Sequence, residues 1–431
     1  MDFKLTREDF INQYPPSNFL NKGDVEHLWS REHFNLYVHI PYCQEKCEFC
    51  YYKSQRLGDD PVPDEYVDAL IKEIEMISVL PQVQRKEACS VYFGGGTPTK
   101  MTVSQFKKVL DKIKECFYLA EDYELCVEAR PGKETSEEKL MLLKEYGIKR
   151  LSFGVQSLND EILKINGRNH DVDAFYQTFE RARKCKIPSI NTDIMSGMVN
   201  ETMDGWLSTL DKIIELYPEN VAVYKLELYL NNVLYRRLRN KEIKLITDEE
   251  EAEQVRVGFR KLMDAGYIPV TNFSFASDMK YNHVHRKELW EGKDMLGIGA
   301  SSHSCYDNFL FQNELNTQKY IERINRGESP IARAYFYDQR QKMIQRMVFG
   351  IKGMVFERKR FEREFGVDPM VVFGKELKEL EQKKFIKIYD DMIKTTYEGM
   401  LYADDIVRIF YLPNQKTAYL SHVNRTRNKV V

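Results

Sequence analysis

The sequence predicts an α/β fold: an incomplete (β/α) barrel of six strand-helix units, followed by a small helical domain with a wing. Three observations predict it. From Leu36 onward, short β-branched and aromatic runs recur along the chain. The longer segments between them carry apolar residues at helical spacing. After about Tyr335 the composition shifts to charged helical stretches. On this reading the chain divides into an N-terminal segment (1–35), a barrel domain (36–335) and a C-terminal domain (336–431).

Six strands are predicted, at Leu36 to Ile40, Ser90 to Gly94, Glu124 to Ala129, Leu151 to Val155, Ser189 to Met195 and Asn220 to Leu228. Between the first two, Val67, Leu70, Ile71, Ile74 and Ile77 mark one face of a covering helix. Helical patterns follow at Ser104 to Phe117, Ser136 to Tyr146, Asp171 to Lys184 and Met203 to Tyr217, with right-handed crossovers expected. Six units fall short of a closed eightfold barrel, and in such folds the chemistry sits at the C-terminal ends of the strands. In the last domain, helices are expected at Gln339 to Phe349, Glu357 to Phe365 and Glu376 to Lys384. A strand pair is expected near Ile386 to Tyr389 and Ile393 to Thr396.

A length of 431 residues with 43% hydrophobic residues supplies a large core and a smaller second unit. The formal charge of −2, from 64 basic and 66 acidic residues, gives no field that would recruit nucleic acid or an anionic membrane. No run of about 18 apolar residues occurs, and the start, Met1-Asp2-Phe3-Lys4, lacks a secretory profile, so a soluble, cytoplasmic protein is expected. Eight cysteines are too dilute for a disulfide scaffold. Cys89, Cys116, Cys126, Cys185 and Cys305 are scattered singly, as packing or surface residues, but the other three are not.

Cys43, Cys47 and Cys50 stand at CxxxCxxC spacing directly after the first predicted strand. A loop of that length can wrap three thiolates around three corners of a 4Fe-4S cube, leaving the fourth iron open to an exogenous ligand. S-adenosylmethionine (SAM) is such a ligand: its amino and carboxylate groups can chelate the open iron, and one electron then cleaves its sulfonium to a 5′-deoxyadenosyl radical. A structural zinc site would require a fourth ligand, and His39 precedes the motif on a strand. Phe49 either packs or shields the cluster and stacks beside adenine.

Gly94-Gly95-Gly96-Thr97-Pro98-Thr99 ends the second predicted strand. Its glycines permit positive φ and close backbone approach to a small charged ligand, and Thr97 adds a hydroxyl. It is neither GxGxxG nor a P-loop. Alone it could be a tight strand-helix turn; beside the cysteine loop it is a candidate seat for the amino acid end of SAM.

Together with Val127-Glu128-Ala129-Arg130-Pro131, Arg150 to Ser157, Asn191 to Gly197 and Leu296 to Ser304, these motifs make nearly the whole chain resemble the HemN-like branch of the radical SAM superfamily, the oxygen-independent coproporphyrinogen oxidases and their relatives. The resemblance implies a six-unit partial barrel of the radical SAM type. It implies SAM contacts from Tyr37, Gly95, Gly96, Thr97, Glu128, Gln156, Arg168 and Asp193, the last four forming a polar cradle. A strand-end carboxylate such as Glu128 or Asp193 suits ribose hydroxyls or the sulfonium cation. The plainer readings are a helix cap for Asp193 and a surface ion pair for Arg168. Some family members bind a second SAM, for which Gly297 to Ser304 is the candidate lining; otherwise that stretch is a glycine-bearing turn closing the barrel. His283 and His285 read as a spaced pair on one strand, too few ligands for a metal site.

One departure bears on function: family members that oxidise coproporphyrinogen carry a further cysteine two places after the third ligand, where this chain has Tyr52. The sequence therefore places methyl or methylene transfer from a second SAM to an sp2 carbon first. Oxidative decarboxylation of coproporphyrinogen and a HemW-type haem carrier are the alternatives. The resemblance implies a small-molecule acceptor and an electron donor such as flavodoxin or ferredoxin.

Overall fold

The computed structural model describes residues 33–417 except 82, 85, 230 and 231, and also residues 11, 13–16, 19 and 20. The expected N-terminal segment thus lies largely outside the described residues. No helix among the described residues is long and apolar enough to cross a membrane.

Strand β1 (His33–Ile40) shows how the sequence builds the sheet. Phe34, Leu36, Val38 and Ile40 are sealed in the core shared with the covering helices, whereas Asn35, Tyr37 and His39 occupy the opposite face, which lines the lumen. The chain then runs through α1 (Asp64–Ser78), β2 (Glu87–Gly95), α2 (Val103–Cys116), β3 (Tyr118–Ala129), α3 (Glu137–Glu145), β4 (Ile148–Gln156), α4 (Asp160–Ile165), α5 (Val172–Lys184), β5 (Ile190–Ser196), α6 (Met203–Leu216) and β6 (Asn220–Lys225). Helix starts follow local chemistry. Thr102 and Gln105 form a reciprocal capping box on α2, and Ser136, Asp171 and Thr202 each accept a hydrogen bond from a first-turn amide.

β1 to β6 are parallel and adjacent in sequence order, the predicted six-unit partial barrel. The register aligns Tyr37 with Tyr92, Tyr92 with Cys126, Glu128 with Ser152 and Gly154 with Asp193. Those positions therefore lie level with one another on neighbouring strands.

The sheet is larger than the prediction. After α7 (Val233–Arg239) and α8 (Asp248–Asp264) come β7 (Ile268–Pro269) and β8 (Ser274–Ala276), antiparallel additions at the β6 edge. Beyond α9 (Val284–Trp290), β9 (Asp294–Ile298) pairs parallel with β1. Then β10 (His303–Tyr306), β11 (Phe309–Asn313), α10 (Thr317–Asn325) and β12 (Ile331–Phe336) extend that edge, giving twelve strands in the order β12-β11-β10-β9-β1-β2-β3-β4-β5-β6-β8-β7. Two expectations are corrected. The last predicted strand stops at Lys225, and the segment through Leu228 is irregular. His283 and His285 lie not on a strand but at the start of α9, His283 as its N-cap residue.

The C-terminal portion comprises α11 (Gln339–Lys352), β13 (Val355–Glu357), α12 (Arg358–Phe365), α13 (Pro369–Gln382), β14 (Ile386–Ile388) and β15 (Met392–Thr395), the three strands forming a separate sheet. Its apolar core joins Ile344, Met347, Phe373 and Leu377 to Trp290 and Phe273 of the barrel. Lys352, fully enclosed, donates from Nζ to Ile11 O at 2.6 Å and pairs with Asp404.

Candidate active site at the barrel mouth

The cysteine loop leaves the C-terminal end of β1 and is clamped at both ends. Tyr42–Cys43 pairs in parallel with Gln55–Arg56, and the amides of Leu57 and Gly58 donate to Cys43 O and Gln44 O at 2.9 and 3.1 Å. In its middle, Cys50 N donates to Cys47 O at 3.1 Å, Leu234 N donates to Glu48 O at 3.1 Å, and Glu48 pairs with Arg237. Phe49 is partly buried against Val199, Leu226 and Leu234, and its carbonyl accepts from Asn232 Nδ2 at 3.1 Å. Its ring thus packs outward into a small apolar cluster.

The three thiols are unpaired and close enough to act on one another electrostatically. Burial pushes the Cys50 thiol up to about 12 and also raises Cys43. Enclosed thiols of this kind become thiolates when a metal supplies the charge. Two guanidiniums stand beside them. Arg168 Nη1 lies 3.2 Å from Cys47 Sγ, and Arg130, bonded to Glu134 at 3.1 Å, acts on Cys43 and Cys47. No three His, Cys, Asp or Glu side chains among the described residues form a single-ion site. A loop of three thiols under two cations fits an anionic cluster held at three corners.

The glycine motif is explained by contacts within the chain. Gly96 N and Thr97 N donate to Ile40 O and Tyr42 O at 2.8 and 2.7 Å, and a Cβ on Gly96 would meet Tyr42 O at 2.6 Å. These two glycine-loop amides therefore face the cysteine loop. Gly95, at φ +109, packs against the His39 ring and donates its amide to Glu128 Oε2 at 3.0 Å.

The predicted cradle residues come together around the lumen. Glu128 accepts from Tyr92 and Gly95, and burial pushes its carboxyl up to about 7. Asp193 sits on β5 and accepts from Asn191 Nδ2 at 2.7 Å and Ser152 Oγ at 3.4 Å; burial raises it too. Gln156 ends β4 at φ 70, where a non-glycine residue is strained, and its amide crowds Gly154. Arg168 bridges Gly154 O and Cys47. Tyr37 stacks on Tyr92 at 5.7 Å and bonds His39 Nδ1 at 2.9 Å. Desolvation depresses His39 to about 3, so its ring is neutral. Gly297 lies within β9, its amide donating to Ser304 Oγ at 2.8 Å, and Gly299 turns the chain at φ +101 into β10.

The fold adds three features to what the sequence indicated. Arg130 joins the cysteines only through the fold. Arg286, from α9, projects its guanidinium 4.7 Å over the Phe273 ring, in the electrostatic reach of Tyr224, Tyr92, Asp193 and Glu128. Tyr51, Tyr52 and Tyr229 form a stack, with ring centroids 4.3 and 4.4 Å apart, directly after Cys50. Tyr51 and Tyr52 are both exposed.

Known proteins resemble this chain. Residues 37–213 match the family model of the radical SAM superfamily, whose cofactors are a 4Fe-4S cluster and SAM. The heme chaperone HemW of Bacillus subtilis (strain 168) is 29% identical over 380 residues, covering 87% of this chain and 98% of that protein. The oxygen-independent coproporphyrinogen III oxidase of Synechocystis is 25% identical over 435 residues, covering 93% and 92%. The solved structure of coproporphyrinogen III oxidase (HemN) from Escherichia coli superimposes with a TM-score of 0.81 at 22% identity, over 93% of this chain and 96% of that one, a likeness of fold. Methyl or methylene transfer, placed first on the sequence, is the activity of none of these three by name; the two alternatives are.

Proposed function

We propose that this chain, a radical SAM protein with HemN- and HemW-like relatives, binds a tetrapyrrole at its barrel mouth as a HemW-type haem carrier. The observation that carries this reading is the likeness to HemW, which extends over 98% of the Bacillus subtilis protein. The stacked tyrosines next to Cys50 support it: they offer a flat aromatic face beside the cluster loop, suited to a flat conjugated macrocycle. Coproporphyrinogen oxidation is the second reading, favoured by the near full-length likeness to the Synechocystis oxidase. Tyr52, standing where oxidases have a cysteine, places it behind.

The chain's own residues would seat two groups. Cys43, Cys47 and Cys50 would hold a cluster, with Arg168 and Arg130 offsetting thiolate charge. Glu128 and Asp193 would face the cationic part of SAM, Glu128 aimed by Tyr92 and the Gly95 amide. Tyr37, Gly96, Thr97 and Gln156 would complete the seat, whereas the packing of Phe49 gives its ring a structural role. When both groups are bound they supply one-electron cleavage of the sulfonium bond, given an external electron donor such as flavodoxin or ferredoxin.

The test is a haem titration of anaerobically reconstituted protein, followed by incubation with methyl-deuterated SAM, dithionite and either haem or coproporphyrinogen. The expected result is a saturable Soret complex, weakened in Tyr51→Ala and Tyr52→Ala, with no carbon dioxide from coproporphyrinogen. Carbon dioxide together with 5′-deoxyadenosine would promote the oxidase. Deuterium in 5′-deoxyadenosine would restore methyl or methylene transfer.

A further inference from the structure

The lumen contains a cation that the cluster and SAM seats do not use. Arg286 leaves the first turn of α9 and lies over the Phe273 ring, its guanidinium centre 4.7 Å from the ring centroid. Other enclosed arginines of the barrel are bonded: Arg130 to Glu134, Arg150 to Asn220, and Arg168 to Cys47 and Gly154. Arg286 makes no hydrogen bond or ion pair among the described residues. Its nitrogens are also not sealed off, in contrast to Arg168 Nε, which is buried without a partner.

The nearby anions do not satisfy it. Asp193 accepts from Asn191 and Ser152, and Glu128 accepts from Tyr92 and Gly95, so both carboxylates act on Arg286 at longer range. An enclosed guanidinium with unpaired donors is costly unless an acceptor arrives. Its place over Phe273 holds the group while its donors stay unpaired, and a guanidinium can receive a carboxylate through two parallel bonds. The lining around it, Tyr92, Tyr224 and Phe273, is aromatic, and Tyr224 and Phe273 lie 5.0 Å apart.

We propose that Arg286 is a substrate-binding residue that anchors a carboxylate of the ligand inside the lumen, beneath the cluster loop. This rests on the tetrapyrrole reading, on which the carboxylate is a propionate of the macrocycle. It explains why a lumen whose neighbouring carboxylates already have partners keeps an open cation on its aromatic side: the substrate brings the matching charge.

Binding of protohaem and of its dimethyl ester to the cluster-loaded protein tests this, since esterification removes the charge and keeps the ring. Wild-type protein should bind the acid about 10- to 100-fold more tightly than the ester, the span of one charge-assisted pair. Arg286→Gln should bind both forms alike, and Arg286→Lys should keep part of the preference, with iron content as the folding control. Equal binding of acid and ester by the wild type overturns the assignment while leaving the tetrapyrrole reading intact. So does a preference that survives in Arg286→Gln. Failure to bind either form overturns both. Should Arg286→Gln not fold, the wild-type comparison and Arg286→Lys decide.

Discussion

Replacing Gly95 with alanine asks whether the glycine motif is set by packing inside the protein. At φ +109 the residue occupies backbone space that L side chains rarely adopt, and a Cβ there would lie 2.5 Å from His39 Cε1 and 2.7 Å from Nδ1. The imidazole cannot swing aside freely, because it is buried and Nδ1 is bonded to the Tyr37 hydroxyl at 2.9 Å. Backbone strain of this kind costs roughly 1–3 kcal/mol, and an overpacked methyl adds about 1–3 kcal/mol. Together these come to about 2–6 kcal/mol. Gly58 is the control: at φ +57 with nothing within 4 Å of an added Cβ, it carries only the backbone part, about 1–2 kcal/mol. In a chain of 431 residues 1 kcal/mol is worth about 1 °C of unfolding temperature. Differential scanning fluorimetry of the metal-free protein should therefore show Gly95→Ala lowering the midpoint by about 2–6 °C and Gly58→Ala by about 1–2 °C. Adding His39→Ala to Gly95→Ala should recover part of the difference. A Gly95→Ala protein no less stable than Gly58→Ala, with no effect of His39→Ala on the gap, would refute the argument.

Anaerobic reconstitution should load about four irons per chain, and Cys43→Ala, Cys47→Ala or Cys50→Ala should each abolish the charge-transfer absorbance. Loss of absorbance in Cys89→Ala or Cys305→Ala instead would reassign the ligands. Glu128, pushed up to about 7, holds a proton in the folded state between about pH 4.5 and 7 that the unfolded chain releases, so its contribution to stability falls as pH rises through that window. Glu128→Gln should therefore stabilise the SAM-free protein at pH 8, with a smaller gain at pH 5, while weakening SAM binding in equilibrium dialysis; an equal gain at both pH values would disprove the raised carboxyl.

Much of the fold was legible because its signals are local. Phe34, Leu36, Val38 and Ile40 alternate with Asn35, Tyr37 and His39 at the period of a strand whose two faces meet different surroundings. Val67, Leu70 and Ile74 repeat at the period of a helix that covers it. The cysteine loop was legible for the same reason: the three candidate ligands of one cluster fall within eight consecutive residues, Cys43 to Cys50, so spacing along the chain stands in for spacing in space. Glu128 and Asp193 were marked by the family resemblance, and their positions near the ends of predicted strands agree with it.

What tertiary structure decided involves partners far apart in sequence. β9 pairs with β1 although Leu36 and Leu296 are separated by most of the barrel, and a five-residue run, Asp294–Ile298, has no periodicity that announces a parallel neighbour. His283 and His285 alternate as a strand would, yet begin α9, where His285 bonds Ser90 at 2.7 Å and His283 faces Glu124 at 3.5 Å; those lumen contacts outweigh a two-residue pattern. Phe49 sits between two candidate ligands in sequence, but its ring packs against the apolar side chains of Val199, Leu226 and Leu234. Arg286 looks in sequence like any surface arginine on a short helix. Only the packing of α9 into the open side of the barrel places its charge over Phe273 and within reach of Glu128 and Asp193, because a long-range field depends on distances that closure of the fold creates.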